Sequence, residues 1–219
     1  MNSKNIFKKN FIFDFKSLGI NAFFPIIISF ISIIFIIGHL NEEHIIISVI
    51  NISETFIPMT AGWISIFLFY DLLEKGGNEV IFTYPVKRSS LGIKRVLTFF
   101  FVYAISIVFY LLIVQSLIKQ EIFLSLYIQL LVEGVFFCAL GFLIMSLTSN
   151  SGISIVILVI YNIVSILTAK KYFGFLNVFY FNAQLLNFKD IFLVGIKPIL
   201  YSIVLFTIGQ WNFNKVMKR

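Results

Sequence analysis

The chain has 219 residues, is 59% hydrophobic and only 12% charged, and carries a formal net charge of +7; its mean hydropathy is +0.99. A soluble domain is about 45–50% apolar and about 25% charged. So few charges cannot cover a globule of this size, and the composition demands a bilayer as solvent. The positive balance would suggest nucleic acid in a soluble protein. Here the basic residues sit at the ends of apolar runs, where orientation and lipid headgroups account for them.

Taken in chain order, the first twenty residues alternate lysine with phenylalanine and contain no small-residue cleavage site, so this segment is expected to stay in place. Phe7, Phe11, Phe15 and Leu18 recur down one helix face with Lys9 and Lys16 opposite. That pattern predicts an amphipathic helix lying in the interface. A bilayer core of about 30 Å needs about 20 helical residues. On that rule the chain is all-α, a single integral membrane domain over 1–219 with about six transmembrane helices: 20–40, 52–72, 96–118, 122–147, 153–169 and about 191–211. The runs are continuous and too long for barrel strands, which are about 9–11 alternating residues. The stretch 170–190 is too polar for a span and too aromatic for an ordinary loop, which predicts an interfacial or re-entrant segment. Lys197-Pro198 is read as the entry of the final helix.

Orientation follows from lysine and arginine near the span ends. The N-terminal region, the second connection and the C-terminus carry twelve; the opposite side carries Lys119, Lys170, Lys171 and Lys189. Both termini and residues 73–95 are therefore expected on the cytoplasmic side of a bacterial cell membrane, with Glu42, Glu43 and His44 outside.

Little in the sequence offers chemistry. No Gly-x-x-x-x-Gly-Lys-Ser/Thr occurs, so no nucleotide-binding domain is expected. The two histidines, His39 and His44, lie together at one span end and complete no metal or protease site. The chain is read as no enzyme, with no cofactor of its own. Cys138 lies in an apolar run and is read as packing. Glu133 falls near the middle of the fourth span, where an isolated charge costs at least about 2.5–3.5 kcal/mol. It is expected to face the interior, a cavity or a subunit interface, as a substrate contact or as a hydrogen-bonded carboxyl. Glu54 stands about two residues into its span and is expected to reach the outer surface. Gln115 and Gln129 are read as interhelical hydrogen bonds or interface groups. The 28 phenylalanines are read mainly as lipid-facing or core residues.

The longest charged, turn-prone stretch is 73–88, with Glu74, Gly76-Gly77, Glu79, Pro85-Val86 and Lys87-Arg88 between two apolar runs. Asp71 to Glu74 can continue the second helix, the glycines can break it, and Pro85 stops regularity again. That gives a short amphipathic element parallel to the membrane. The order Glu, Gly, second Glu, Pro-Val-x-Arg, then a new span, resembles the loop between helices two and three of ABC-2 type transporter permeases. The sequence departs from that family in having Asn78 after Gly77 where threonine is commoner. The resemblance implies that 73–88 is a coupling helix docking on a separate ATP-binding subunit, which would hold ATP and Mg. It makes Glu74 and Glu79 docking carboxylates, Arg88 an anchor, and Gly76, Gly77 and Pro85 the breaks that shape the element. It further implies a second permease chain as partner, membrane lipids around both, no nucleic acid, and export of a hydrophobic or amphipathic substrate, extending to antimicrobial peptides in export or self-immunity. Two other classes stay open: a stand-alone secondary carrier or channel, which needs paired intramembrane charges or broken helices in repeated halves, and a non-transporting scaffold or immunity protein.

Overall fold

The computed structural model describes residues 14–74, 91–167, 177–179, 184–186 and 188–217. Among them the chain is helical with no strand, and five helices are long and apolar enough to cross a membrane. Backbone satisfaction explains why residues that favour strands in water form helices here: in hydrocarbon only a structure that pairs its own N–H and C=O groups is tolerated. We number the helices α1 (Phe24–Gly38), α2 (Ile45–Phe67), α3 (Ile93–Ile118), α4 (Phe123–Thr148), α5 (Ser151–Leu167) and α6 (Phe188–Val216). At 17 residues α5 spans about 25 Å, a little short of a bilayer core.

A helical segment from Asp14 precedes α1 and is broken at Gly19, whose φ of +54° is a conformation side chains resist. Within it Leu18 is buried while Phe15 and Lys16 are exposed. Phe7, Lys9 and Phe11, the earlier part of the expected interfacial helix, lie outside the described residues. The segment is tied to the start of α3: Arg95 meets Asp14 at 2.9 Å and donates to Ser17 Oγ at 3.2 Å.

Helix α4 is the axis of the bundle, packing most extensively on α6 and α2. Glycines permit that closeness. A Cβ on Gly141 would lie 2.5 Å from Gly62 O, so α2 and α4 touch backbone to backbone there, and a Cβ on Gly62 would meet Leu158 of α5 at 2.9 Å. Helix α5 is inverted relative to a soluble helix. Ser151, Ser154, Leu158, Asn162 and Ser165 are buried, whereas Ile153, Val156, Ile160 and Ile163 face outward. Polar groups inside and hydrocarbon outside is the arrangement lipid solvation favours. The link between α4 and α5 is short: Ser149 takes a left-handed φ of 48°, and Asn150 Oδ1 accepts from Ile153 N at 2.9 Å as the cap of α5.

Two helix starts differ from the sequence reading. Helix α2 begins at Ile45, not 52, because Ile45-Ile46-Ile47 supply the apolar first turn despite Ser48, Asn51 and Ser53 further on. It then runs through Pro58 and a wide turn at Tyr70–Glu74. Helix α6 begins at Phe188, so Lys197-Pro198 is not its entry but an interior position, with Ser202 Oγ donating to Pro198 O at 2.6 Å. Part of the aromatic stretch folds against the bundle: Asn177 and Val178 are buried, and Asn177 donates to Ser165 O at 3.2 Å.

A buried carboxyl pair between helices

The connections 39–44 and 119–122, with the start of α6, define one end of the bundle. Glu74, Gly92, Ser149 and the end of α6 define the other. Glu54 and Glu133 lie between these ends, on α2 and α4, two helices that pack closely. Glu133 is fully buried and Glu54 is 5% exposed. The Glu133 carboxyl is within electrostatic reach of that of Glu54. Among the described residues no hydrogen-bond donor meets Glu133 Oε1, Glu133 Oε2 or Glu54 Oε1.

The donors around them are engaged elsewhere. Tyr103, whose ring packs on Gly134, gives its hydroxyl proton to Leu130 O at 3.1 Å. Tyr110 Oη is held by Ser32 and Ser53 at 2.7 and 2.8 Å, tying α1, α2 and α3 together. Gln129, one turn from Glu133 on α4, is fully buried; its Nε2 donates to Gln184 O at 2.8 Å, and its Oε1 has no partner. Asn162 of α5 donates to the carbonyl of Thr55, the neighbour of Glu54, at 3.1 Å, and its Oδ1 is likewise unpartnered. Pro58 has no N–H for the carbonyl of Glu54 four residues earlier, so the helix ladder is interrupted at the same level. Glu54, Glu133, Gln129 and Asn162 thus each keep at least one buried oxygen without a partner, while the Tyr103 hydroxyl and the Gln129 and Asn162 amide N–H groups serve backbone carbonyls.

The end that holds 39–44 carries a groove of about 490 Å³. Glu43, His44, Ile50, Gln120, Gln184 and Leu185 line it. Two of these connect by chain to the carboxyls: buried Ile50 precedes Glu54 by four residues, and the backbone carbonyl of the exposed Gln184 holds Gln129, which precedes Glu133 by four. A second groove of about 600 Å³ runs along the ends of α3 and α4, with Gln115, Lys119 and Glu121 in its wall.

At the other end, Glu74 is exposed and its Oε2 accepts from the backbone N–H of Ser151 at 2.7 Å. A carboxylate at the first turn of α5 satisfies an orphan donor and meets the positive end of the helix dipole. Gln210 of α6 reaches the first turn of α3, accepting from Ile93 N at 3.0 Å. The start of the charged connection is thus fastened to α5, and the helix that follows the connection is fastened to α6.

Of the residues singled out in the sequence, Glu54, Gln129 and Glu133 come together. The expectation for Glu54 is corrected: it lies well inside α2, because the helix starts seven residues earlier than read, and it is buried rather than at an outer surface. Glu74 lies apart from these three, at the opposite end of α2. Gly76, Gly77, Glu79, Pro85 and Arg88 lie outside the described residues. Cys138 is buried in the core, and among the described residues no three of His, Cys, Asp and Glu gather as a metal site would require. Sequence reading missed Asn162 and the hydroxyl trio of Ser32, Ser53 and Tyr110. The polar stripe Ser151, Ser154, Asn162, Ser165 at helical spacing was the available signal. No family model, no characterised protein and no solved structure matches this chain.

Proposed function

We propose that this chain is a transmembrane permease subunit of an ATP-driven exporter, pairing with a second permease chain and with separate ATPase subunits. The observation that carries this reading is the charged segment 73–88, with its resemblance to an ABC-2 coupling loop, in a chain otherwise built of hydrocarbon. The hold of Glu74 on the N-terminus of α5 supports it. A push on this connection would reach α5 directly through Ser151 and reach the carboxyl pair along α2. Transport then follows from mechanical switching of helices, with ATP and Mg on the partner and no covalent chemistry here. The cargo this reading favours is hydrophobic or amphipathic, with cytolytic peptides as its narrower form, in export or in self-immunity.

The carboxyl pair favours a second reading, a stand-alone cation-coupled carrier, since paired intramembrane charges are one of the two features that class is built on, broken helices in repeated halves being the other. One experiment separates the two. The full chain, tagged and purified from its own membrane, is expected to retain an ATP-binding subunit. Glu79→Arg is expected to release that subunit while the chain stays in the membrane at its usual level. A wild-type chain that purifies alone and still moves substrate down an ion gradient would favour the carrier.

A further inference from the structure

We propose that Glu54, Glu133 and the Gln129 amide oxygen form an internal binding site for a monovalent cationic group, entered from the groove beside Gln184. The proposal concerns this chain alone and does not rest on an ATPase partner. An ionised carboxylate only accepts hydrogen bonds, and burying a polar group without its partner costs free energy. A single orphaned oxygen is a local defect. Here three carboxyl oxygens and a buried amide oxygen are left without donors on neighbouring turns of α2 and α4. The Tyr103 hydroxyl and the Gln129 amide N–H are committed to backbone carbonyls. An arrangement of acceptors whose donors face away is complementary to a ligand that brings positive charge or N–H groups.

The route to the site has matching chemistry. The groove is lined by the carboxylate of Glu43 and by two exposed uncharged amides, Gln120 and Gln184. Gln129 joins the two regions: one end of its amide holds Gln184 O, the other is turned into the interior without a partner. Among the described residues no third carboxylate, histidine or thiol joins the two carboxyls, which disfavours a transition metal or a calcium-type cage, since these want more ligands. An alkali cation, or a primary ammonium carried by an amphipathic molecule, presents the shared chemistry.

The test is thermal unfolding of the full chain in uncharged detergent, at equal ionic strength in sodium, potassium, hexylammonium or choline chloride. Choline is the control because its quaternary nitrogen offers no N–H and is too large for a one-turn site. A concentration-dependent rise in midpoint with sodium or potassium supports the site and identifies a free ion as ligand. A rise with hexylammonium alone supports it and identifies an organic ammonium. In either case Glu133→Gln and, separately, Glu54→Gln should weaken the apparent affinity about tenfold or more, while each variant still unfolds cooperatively in choline. Equal midpoints for the wild-type chain in all four salts would overturn the proposal. So would undiminished responses in a folded Glu133→Gln or Glu54→Gln protein.

Discussion

Glu133 shows how far one residue can be read from its position and where that reading ends. An acidic residue in the middle of an apolar run has to face protein or a cavity, because lipid exposure is costly. That much needs no coordinates. What it faces could not be read, since the partner, Glu54, is 79 positions away on another helix, and the donors that might have satisfied it are turned aside by Leu130 O and Gln184 O. A carboxyl kept without a partner sacrifices stability for a site, as functional groups commonly do. Glu133→Gln should therefore leave the unfolding midpoint in choline unchanged or raise it, by up to about 1–3 kcal/mol in stability. A marked loss of stability in denaturant titrations would mean that the carboxyl has a structural partner. Glu54 teaches a complementary lesson. The serines and asparagine around it lower the local hydropathy and make the helix look as though it starts later than it does.

At the scale of the element, the helices could be recognised from their length and continuity, whereas their breaks could not. Pro58 and Pro198 both sit inside helices, where neighbouring groups and the lack of competing water let the ladder tolerate them. Reading Pro198 as a helix entry applied a rule suited to water. The contact of α2 with α4 rests on a backbone approach that glycine allows: Gly141 faces Gly62 O with no room between. Gly141→Ala should thus separate the two helices and destabilise the bundle by about 1–3 kcal/mol, measured by unfolding in mixed detergent. Because the carboxyl pair lies between the same two helices, this variant should also weaken the cation response. A stable Gly141→Ala protein with a normal response would show that α2 and α4 pack elsewhere. At the start of α5, Glu74→Ala removes the acceptor for Ser151 N, and Glu74→Gln retains one. Alanine should therefore uncouple α5 from the connection more than glutamine does, seen as faster amide exchange of 151–154.

For the whole molecule, the inverted pattern of α5 and the outward phenylalanines agree with a bundle solvated by lipid. The lysine and arginine count adds a direction that the arrangement of helices does not. With Cys138 buried, the native chain should resist an impermeant maleimide. His44→Cys should then react in intact cells and Ser149→Cys only after the membrane is opened. The reverse pattern would invert the orientation. The resemblance of 73–88 extended over about sixteen residues of sequence, and five of its six named positions lie outside the described residues, so its meaning is a matter for function rather than geometry. The most direct measurement is ATP turnover by the complex purified through this chain and placed in lipid vesicles, compared between wild type and Glu79→Arg. An assembly that hydrolyses ATP, and loses that turnover in Glu79→Arg with the chain still folded and inserted, is the expected result. No turnover in the wild-type assembly, or turnover unchanged by Glu79→Arg, would contradict a permease driven through this segment.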